Sequence, residues 1–177
     1  MSHFDDVKFP TRVTVTTFNI WGEHYWPQRG EALFQYFQSL RSDIYLLQEV
    51  TPQILDYLDR NLTGRYARVQ GSNGWLSESN IYWNNELFSL VDHGRSDLEI
   101  EDHPNRGLFW VRLSLRSHPT LKIFLCTAHF PWVGCNAELA SGMNQRWVST
   151  SHFKTATTTN TNTNTNTTTT TTLFLQK

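Results

Sequence analysis

Three apolar runs in this chain each finish on a side chain that could do chemistry. Val13 to Phe18 finishes on Asn19, Ile44 to Gln48 on Glu49, and Leu121 to Ala128 on His129. The Glu49 run is short, nearly continuous and without helical spacing, so it reads as a strand buried on both faces. A carboxylate where such a strand empties into a loop is costly to bury unless it has a cation, a basic partner or a surface position. Asn19, Glu49 and His129 are therefore the candidate site. Taken singly, each also has a structural role open to it. Asn19 could close a strand end through the backbone, Glu49 could be an exposed residue ahead of Thr51, and His129 could be a satisfied structural histidine.

The elements that must position these residues begin with a βαβ unit. Thr11 to Ile20 predicts a first strand. Between Arg29 and Leu40 the residues Leu33, Phe34, Tyr36, Phe37 and Leu40 recur at helical spacing, and the Glu49 strand follows at once. Strand, helix and strand in that order run the two strands parallel and bring their carboxyl ends to one edge, where open α/β sheets form ligand crevices. That geometry sets Asn19 beside Glu49. Thr51-Pro52 reads as a hydroxyl N-cap with proline at the first helical position, opening a second helix with Ile54, Leu55, Leu58 and Leu62 on its buried side. Beyond Gly64, short runs at Tyr66 to Val69, Asn80 to Trp83, Glu86 to Val91, Leu108 to Leu115 and Leu121 to His129 predict an antiparallel half. The Trp21 to Trp26 and Pro131 to Gly134 loops would flank the crevice as aromatic walls.

A length of 177 residues predicts one domain. The net charge of -1, with no lysine- or arginine-rich run, gives no support to binding through a general attraction to the nucleic acid backbone, while leaving room for a local phosphate site. Seven Trp are spread along the first 153 positions, which suits core and pocket wall better than a single patch. Cys126 and Cys135 match no zinc spacing, the amino terminus has no hydrophobic signal core, and the apolar runs are too short to span a bilayer. The expectation is a soluble, intracellular protein, cytoplasmic with the nucleus open. Residues 1–10 read as a flexible arm and 11–150 as the folded part. Residues 151–177 read as a low-complexity tail, expected to be disordered because Thr157 through Thr172 holds only Thr and Asn.

Five stretches then carry a resemblance. Thr17-Phe18-Asn19-Ile20-Trp21-Gly22, Leu46-Leu47-Gln48-Glu49-Val50, Asn80-Ile81-Tyr82-Trp83, Arg106-Gly107-Leu108-Phe109-Trp110 and Thr127-Ala128-His129-Phe130 resemble, in order and spacing, the amino-terminal motifs of the endonuclease/exonuclease/phosphatase superfamily. The resemblance covers roughly Thr11 to Thr150. It implies an α/β fold, an incomplete four-layered α/β sandwich of that type, and Mg²⁺-assisted hydrolysis of a phosphoester, with Mn²⁺ as a substitute. It implies that Glu49 holds the metal, that Asn19 positions metal or phosphate, that His129 donates to a phosphate oxygen and that Arg106 binds the same group. It further implies that Glu78 orients His129. The chemistry is coherent, because Mg²⁺ prefers oxygen ligands and keeps several waters, and a guanidinium matches phosphate oxygens. Arg106 has a plainer alternative as a turn residue paired to Glu101 or Asp102.

The sequence also departs from that pattern. Thr127-Ala128-His129 stands where the superfamily often has Asn-Thr-His, and the later Gly-Asp-Xaa-Asn and Ser-Asp-His motifs are absent. Asp92-His93 and Asp102-His103 precede the His129 strand and are decoys by position. Without those motifs the set lacks a general base and the carboxylate that would steer water. The expectation is a phosphoester hydrolase by lineage, apparently truncated and inactive alone. The missing part is also expected to hold the second sheet, which would leave an apolar face of the first exposed and the chain poorly soluble. The alternative function is a non-catalytic phosphate-binding or regulatory fragment. The substrate stays open among nucleic acid, nucleotide and phosphorylated small molecules.

Overall fold

The computed structural model describes residues 12–70, 79–97 and 106–129, and the backbone of two further strands at 154–160 and 169–176. Glu78, the 1–10 arm and the Pro131 to Gly134 loop lie outside the described residues. In chain order the elements are β1 (Val15–Asn19), α1 (Gln28–Leu40), β2 (Ile44–Gln48), α2 (Pro52–Leu62), β3 (Tyr66–Arg68), β4 (Ser79–Asn84), β5 (Phe88–Asp97), β6 (Gly107–Leu115), β7 (His118–Ala128), β8 (Lys154–Asn160) and β9 (Thr169–Gln176). They form a four-stranded sheet of order β1-β2-β4-β3 and a five-stranded sheet of order β5-β6-β7-β9-β8.

The first sheet grows from the βαβ unit. β1 and β2 are parallel, with Asn19 opposite Gln48, and β4 joins β2 antiparallel. All five residues of β2 are buried, and their alternation explains why the run is nearly continuous in apolar residues. Tyr45 and Leu47 pack with Leu33, Phe37, Ile54 and Leu58 of the two helices. Ile44 and Leu46 pack on the other side with Phe109, Val111, Leu113 and Leu125 of the second sheet. Gln48 continues the second set, so the one polar side chain of the strand faces the sheet–sheet seam. α1 ends where Arg41 turns left-handed (φ 46°) and its N–H bonds back to the Phe37 carbonyl. α2 begins as expected at Pro52 after an extended Thr51, but the Thr51 hydroxyl makes no capping bond.

One expectation is corrected here. The second sheet is present: β5, β6 and β7 form an antiparallel layer that covers the first sheet, so that face is core. Period-2 patterning identified these strands but carries no information on which sheet a strand joins. The turn at residues 85–87, where the Asn84 side chain accepts the Glu86 N–H and the Asn84 carbonyl accepts the Leu87 N–H, sends the chain into the new layer. Within residues 151–177 the backbone forms β8 and β9. β9 pairs with β7, placing Leu173, Phe174 and Leu175 opposite Leu125, Phe124 and Ile123. Threonine is β-branched and suits an extended backbone, and β7 offers an edge whose hydrogen-bonding groups need partners. Among the described residues, no helix is long and apolar enough to cross a membrane.

Candidate functional site

The parallel pairing of β1 and β2 brings Asn19 and Glu49 to one edge, and the second sheet delivers His129 to the same place. The site therefore lies at the seam between two sheets, not along one. Asn19 Nδ2 donates to Glu49 Oε1 at 2.9 Å, and His129 Nε2 lies 3.2 Å from the same oxygen. Arg106 Nη1 donates to His129 Nδ1. With Nδ1 accepting, the ring proton sits on Nε2, which fixes the tautomer that faces Glu49. His129 is nearly buried and the Glu49 side chain is 27% exposed. Both protein contacts fall on Oε1; Oε2 lies beside Gly22, where an added Cβ would come to 3.6 Å.

Glu49 holds a left-handed backbone, φ 57°. For a non-glycine residue that costs about 1–2 kcal/mol, and such conformations persist where surrounding structure fixes them, often at functional positions. Ile20 N–H bonds to the Gln48 carbonyl just before this kink, so the strand pairing holds up to the residue that turns the carboxylate out.

Gln48 belongs to the same seam, although the sequence pattern assigns it no role. It is fully buried, and its Nε2 donates to Thr127 Oγ1 at 2.7 Å, to the Leu46 carbonyl at 3.1 Å and to Thr17 Oγ1 at 3.3 Å. It thus ties β1 and β2 to β7 one residue before Glu49 and two before His129. Thr127 is fully buried as well. The signal was available, since a polar residue at an inward position of a buried strand needs a partner; the partner, 79 residues away, was not.

Above the site the loop after β1 is braced by Arg29 of α1. Its Nε, Nη1 and Nη2 donate to the carbonyls of His24, Ile20 and Gly22 at 2.6, 2.8 and 2.9 Å. Trp21 N–H donates to Asn19 Oδ1 at 2.8 Å. The Asn19 amide therefore links the loop to Glu49, with both its ends engaged. Of the residues implied by the resemblance, Asn19, Glu49, His129 and Arg106 come together, and Glu78 lies outside the described residues. Among the described residues no group of three His, Cys, Asp or Glu side chains could hold a metal ion.

No family model matches the sequence, and no curated protein matches it. Solved structures do. TDP2 of D. rerio complexed with single strand DNA product superposes with a TM-score of 0.63 at 16% identity, over 77% of this chain and 53% of that one. An endonuclease/exonuclease/phosphatase from Bacteroides vulgatus gives 0.65 at 18% identity, over 78% and 60%. ANGEL2, a 2′,3′-cyclic phosphatase, in complex with adenosine-2′,3′-vanadate gives 0.53 at 15%, over 68% and 42%. The chain spans about half the length of the structures it matches. Its α/β fold is the one these structures have, over the part of their length that it spans.

Proposed function

We propose that this chain is a phosphate-holding part of a divalent-metal-assisted phosphoester hydrolase. The observation that carries the reading is Glu49 Oε1, shared by the Asn19 amide and the His129 imidazole on a left-handed backbone, with Oε2 turned to the loop. Mg²⁺ asks for one or two carboxylates and takes the rest of its shell from water and phosphate oxygens. Glu49 fits as that carboxylate. Asn19 fits as the group that orients it, and as a ligand only through the remaining lone pair of Oδ1. When bound, the ion would supply Lewis-acid stabilisation of charge developing on the phosphoryl group. Arg106 fixes the His129 tautomer and adds positive charge, and Nε2–H of His129 is a donor available to a phosphate oxygen that competes with Glu49 for it. Gln48 sets the spacing of the two sheets beneath.

A second reading, binding without turnover, is favoured by the missing carboxylate cluster among the described residues: the set positions a phosphate but offers no group to activate water. The deciding experiment assays the 177-residue chain with Mg²⁺ and Mn²⁺ against nucleotides, oligonucleotides and phosphate esters, and measures their equilibrium binding beside Glu49→Ala. The expected result is weak Mg²⁺ binding that strengthens with a phosphorylated ligand, falls several-fold in the variant, and brings no turnover. Metal-dependent turnover lost in Glu49→Ala would establish hydrolysis by this set of residues and end the second reading. Binding indifferent to both metal and Glu49 would end the first.

A further inference from the structure

Beside Glu49 the loop after β1 displays aromatic rings to solvent. Trp21 is 53% exposed and Tyr25 74% exposed, although each could bury a large apolar area elsewhere. Both hold left-handed backbones, φ 66° and 56°, a strain that L-residues avoid unless neighbours impose it. The neighbours are the three carbonyl bonds from Arg29 and the Asn19 bond to Trp21 N–H. The His24 ring stacks on Trp21 at 4.9 Å, and the Tyr25 ring lies 6.0 Å from it. The loop is therefore a braced aromatic platform, joined to Glu49 through one asparagine.

We propose that Trp21 and Tyr25 stack a nucleobase attached to the phosphate held at Asn19, Glu49 and His129, which narrows the substrate class to nucleotides and single-stranded nucleic acid ends. The inference rests on the phosphoester reading above. Stacking of a base on an exposed aromatic side chain is tolerant of sequence and is helped by nearby positive charge. Arg29 supplies the charge, its guanidinium lying 5.5 Å from the Trp21 ring centroid with neutral carbonyls as its hydrogen-bond partners. The same cation argues against the other planar-cage ligand, a choline head group, because a quaternary ammonium seeks an aromatic face free of positive charge. Inositol phosphates present no π face to stack.

The test is a fluorescence anisotropy competition on the 177-residue chain in Mg²⁺. The ligands are a short 5′-phosphorylated single-stranded DNA, the same strand with an abasic terminal nucleotide, a mononucleotide, and phosphocholine. The base-bearing strand is expected to bind about tenfold more tightly than the abasic one. That ratio should fall to near one in Trp21→Ala/Tyr25→Ala and be largely kept in Trp21→Phe. Because the ratio compares two ligands on one preparation, a partly unfolded variant does not alter it. Equal binding of the two strands by the unaltered chain, an unchanged ratio in the double variant, or a preference for phosphocholine each overturns the platform. The mononucleotide arm tells a free nucleotide from a strand end as the source of the base. Glu49→Ala separates the two levels: an affinity that depends on Glu49 without a base ratio sinks the platform alone, whereas a base ratio without Glu49 dependence sinks the phosphoester reading.

Discussion

Glu49 and Asp59 are two carboxylates of one sheet-and-helix layer put to opposite uses. Asp59, on α2, accepts Arg68 Nε at 2.8 Å and the Tyr82 hydroxyl at 2.9 Å on Oδ1, and Arg68 Nη2 at 2.6 Å on Oδ2. Burial alone would raise its pKa, but the bonds from Arg68 and Tyr82 and the Arg68 charge outweigh that and hold it below the usual carboxyl range. Arg68 is raised in turn, first through its bond to Asp59, and burial pushes the Tyr82 phenol up, with the Asp59 charge adding to it, so it stays a donor. Every oxygen there is spent on fastening α2 to β3 and β4. Glu49 instead has both its contacts on one oxygen and sits on strained backbone. A saturated carboxylate fastens a fold, and one left half-engaged on a costly backbone is available to a ligand.

The largest effect expected from that contrast is a crossed pair of outcomes. Asp59→Ala leaves Arg68, whose side chain is 7% exposed, as an uncompensated charge, and should cost about 3 kcal/mol in urea denaturation. Glu49→Ala should cost under about 1 kcal/mol, because lost hydrogen bonds are offset by solvent access, while it removes metal-dependent ligand binding. Equal losses of stability from the two variants would break the comparison.

Gln48→Leu comes next. It keeps the volume but leaves the buried Thr127 hydroxyl without its partner, at about 2 kcal/mol. It should also weaken phosphate binding, since the spacing of Glu49 and His129 depends on the tie between the sheets. A variant that loses stability yet binds as before would confine Gln48 to the core.

The pH dependence sharpens the Asp59 side. A carboxyl whose folded pKa lies below its usual 3.8 stabilises the fold fully above that value, and the contribution disappears as pH falls through the folded value. Urea midpoints measured between pH 6 and pH 2.5, a range of about the width such a transition needs, should decline at the acid end for the unaltered chain. Asp59→Asn should start lower and decline less. Parallel profiles would show that Asp59 does not contribute this linkage.

These contrasts also mark what the sequence disclosed. The βαβ unit was legible because Leu33, Phe37 and Leu40 carry a helical period and the flanking runs do not, and the ends of parallel strands necessarily place Asn19 by Glu49. The second sheet was not, since Phe109, Val111 and Leu113 alternate identically whichever sheet they join. The Asp59 network was hidden for a similar reason. Arg68 and Tyr82 stand 9 and 23 residues from Asp59, and a charged residue on α2 reads as a solvated face until tertiary packing sets a buried cation beside it. The left-handed turns at Trp21 and Glu49 were also unreadable, because neither residue type favours that conformation.

The smallest expected effect isolates burial from residue chemistry. Asp56 and Arg60 form an ion pair on the same helix as Asp59, with Arg60 Nη2 2.7 Å from Asp56 Oδ2 and both side chains 69% exposed. The residue types and the contact distance resemble those of the Asp59–Arg68 pair. What differs is that water surrounds the first pair, screens its attraction and rehydrates whichever partner is left alone. Arg60→Ala should therefore change stability by less than about 0.5 kcal/mol, and raising salt to about 1 M, where charges are screened within about 3 Å, should erase what remains. Asp59→Ala should keep most of its cost at that salt concentration, because its partner is shielded from the ions. A salt-sensitive Asp59 variant, or an Arg60 variant as damaging as Asp59→Ala, would mean that pairing itself, and not enclosure, separates a fastening carboxylate from an available one.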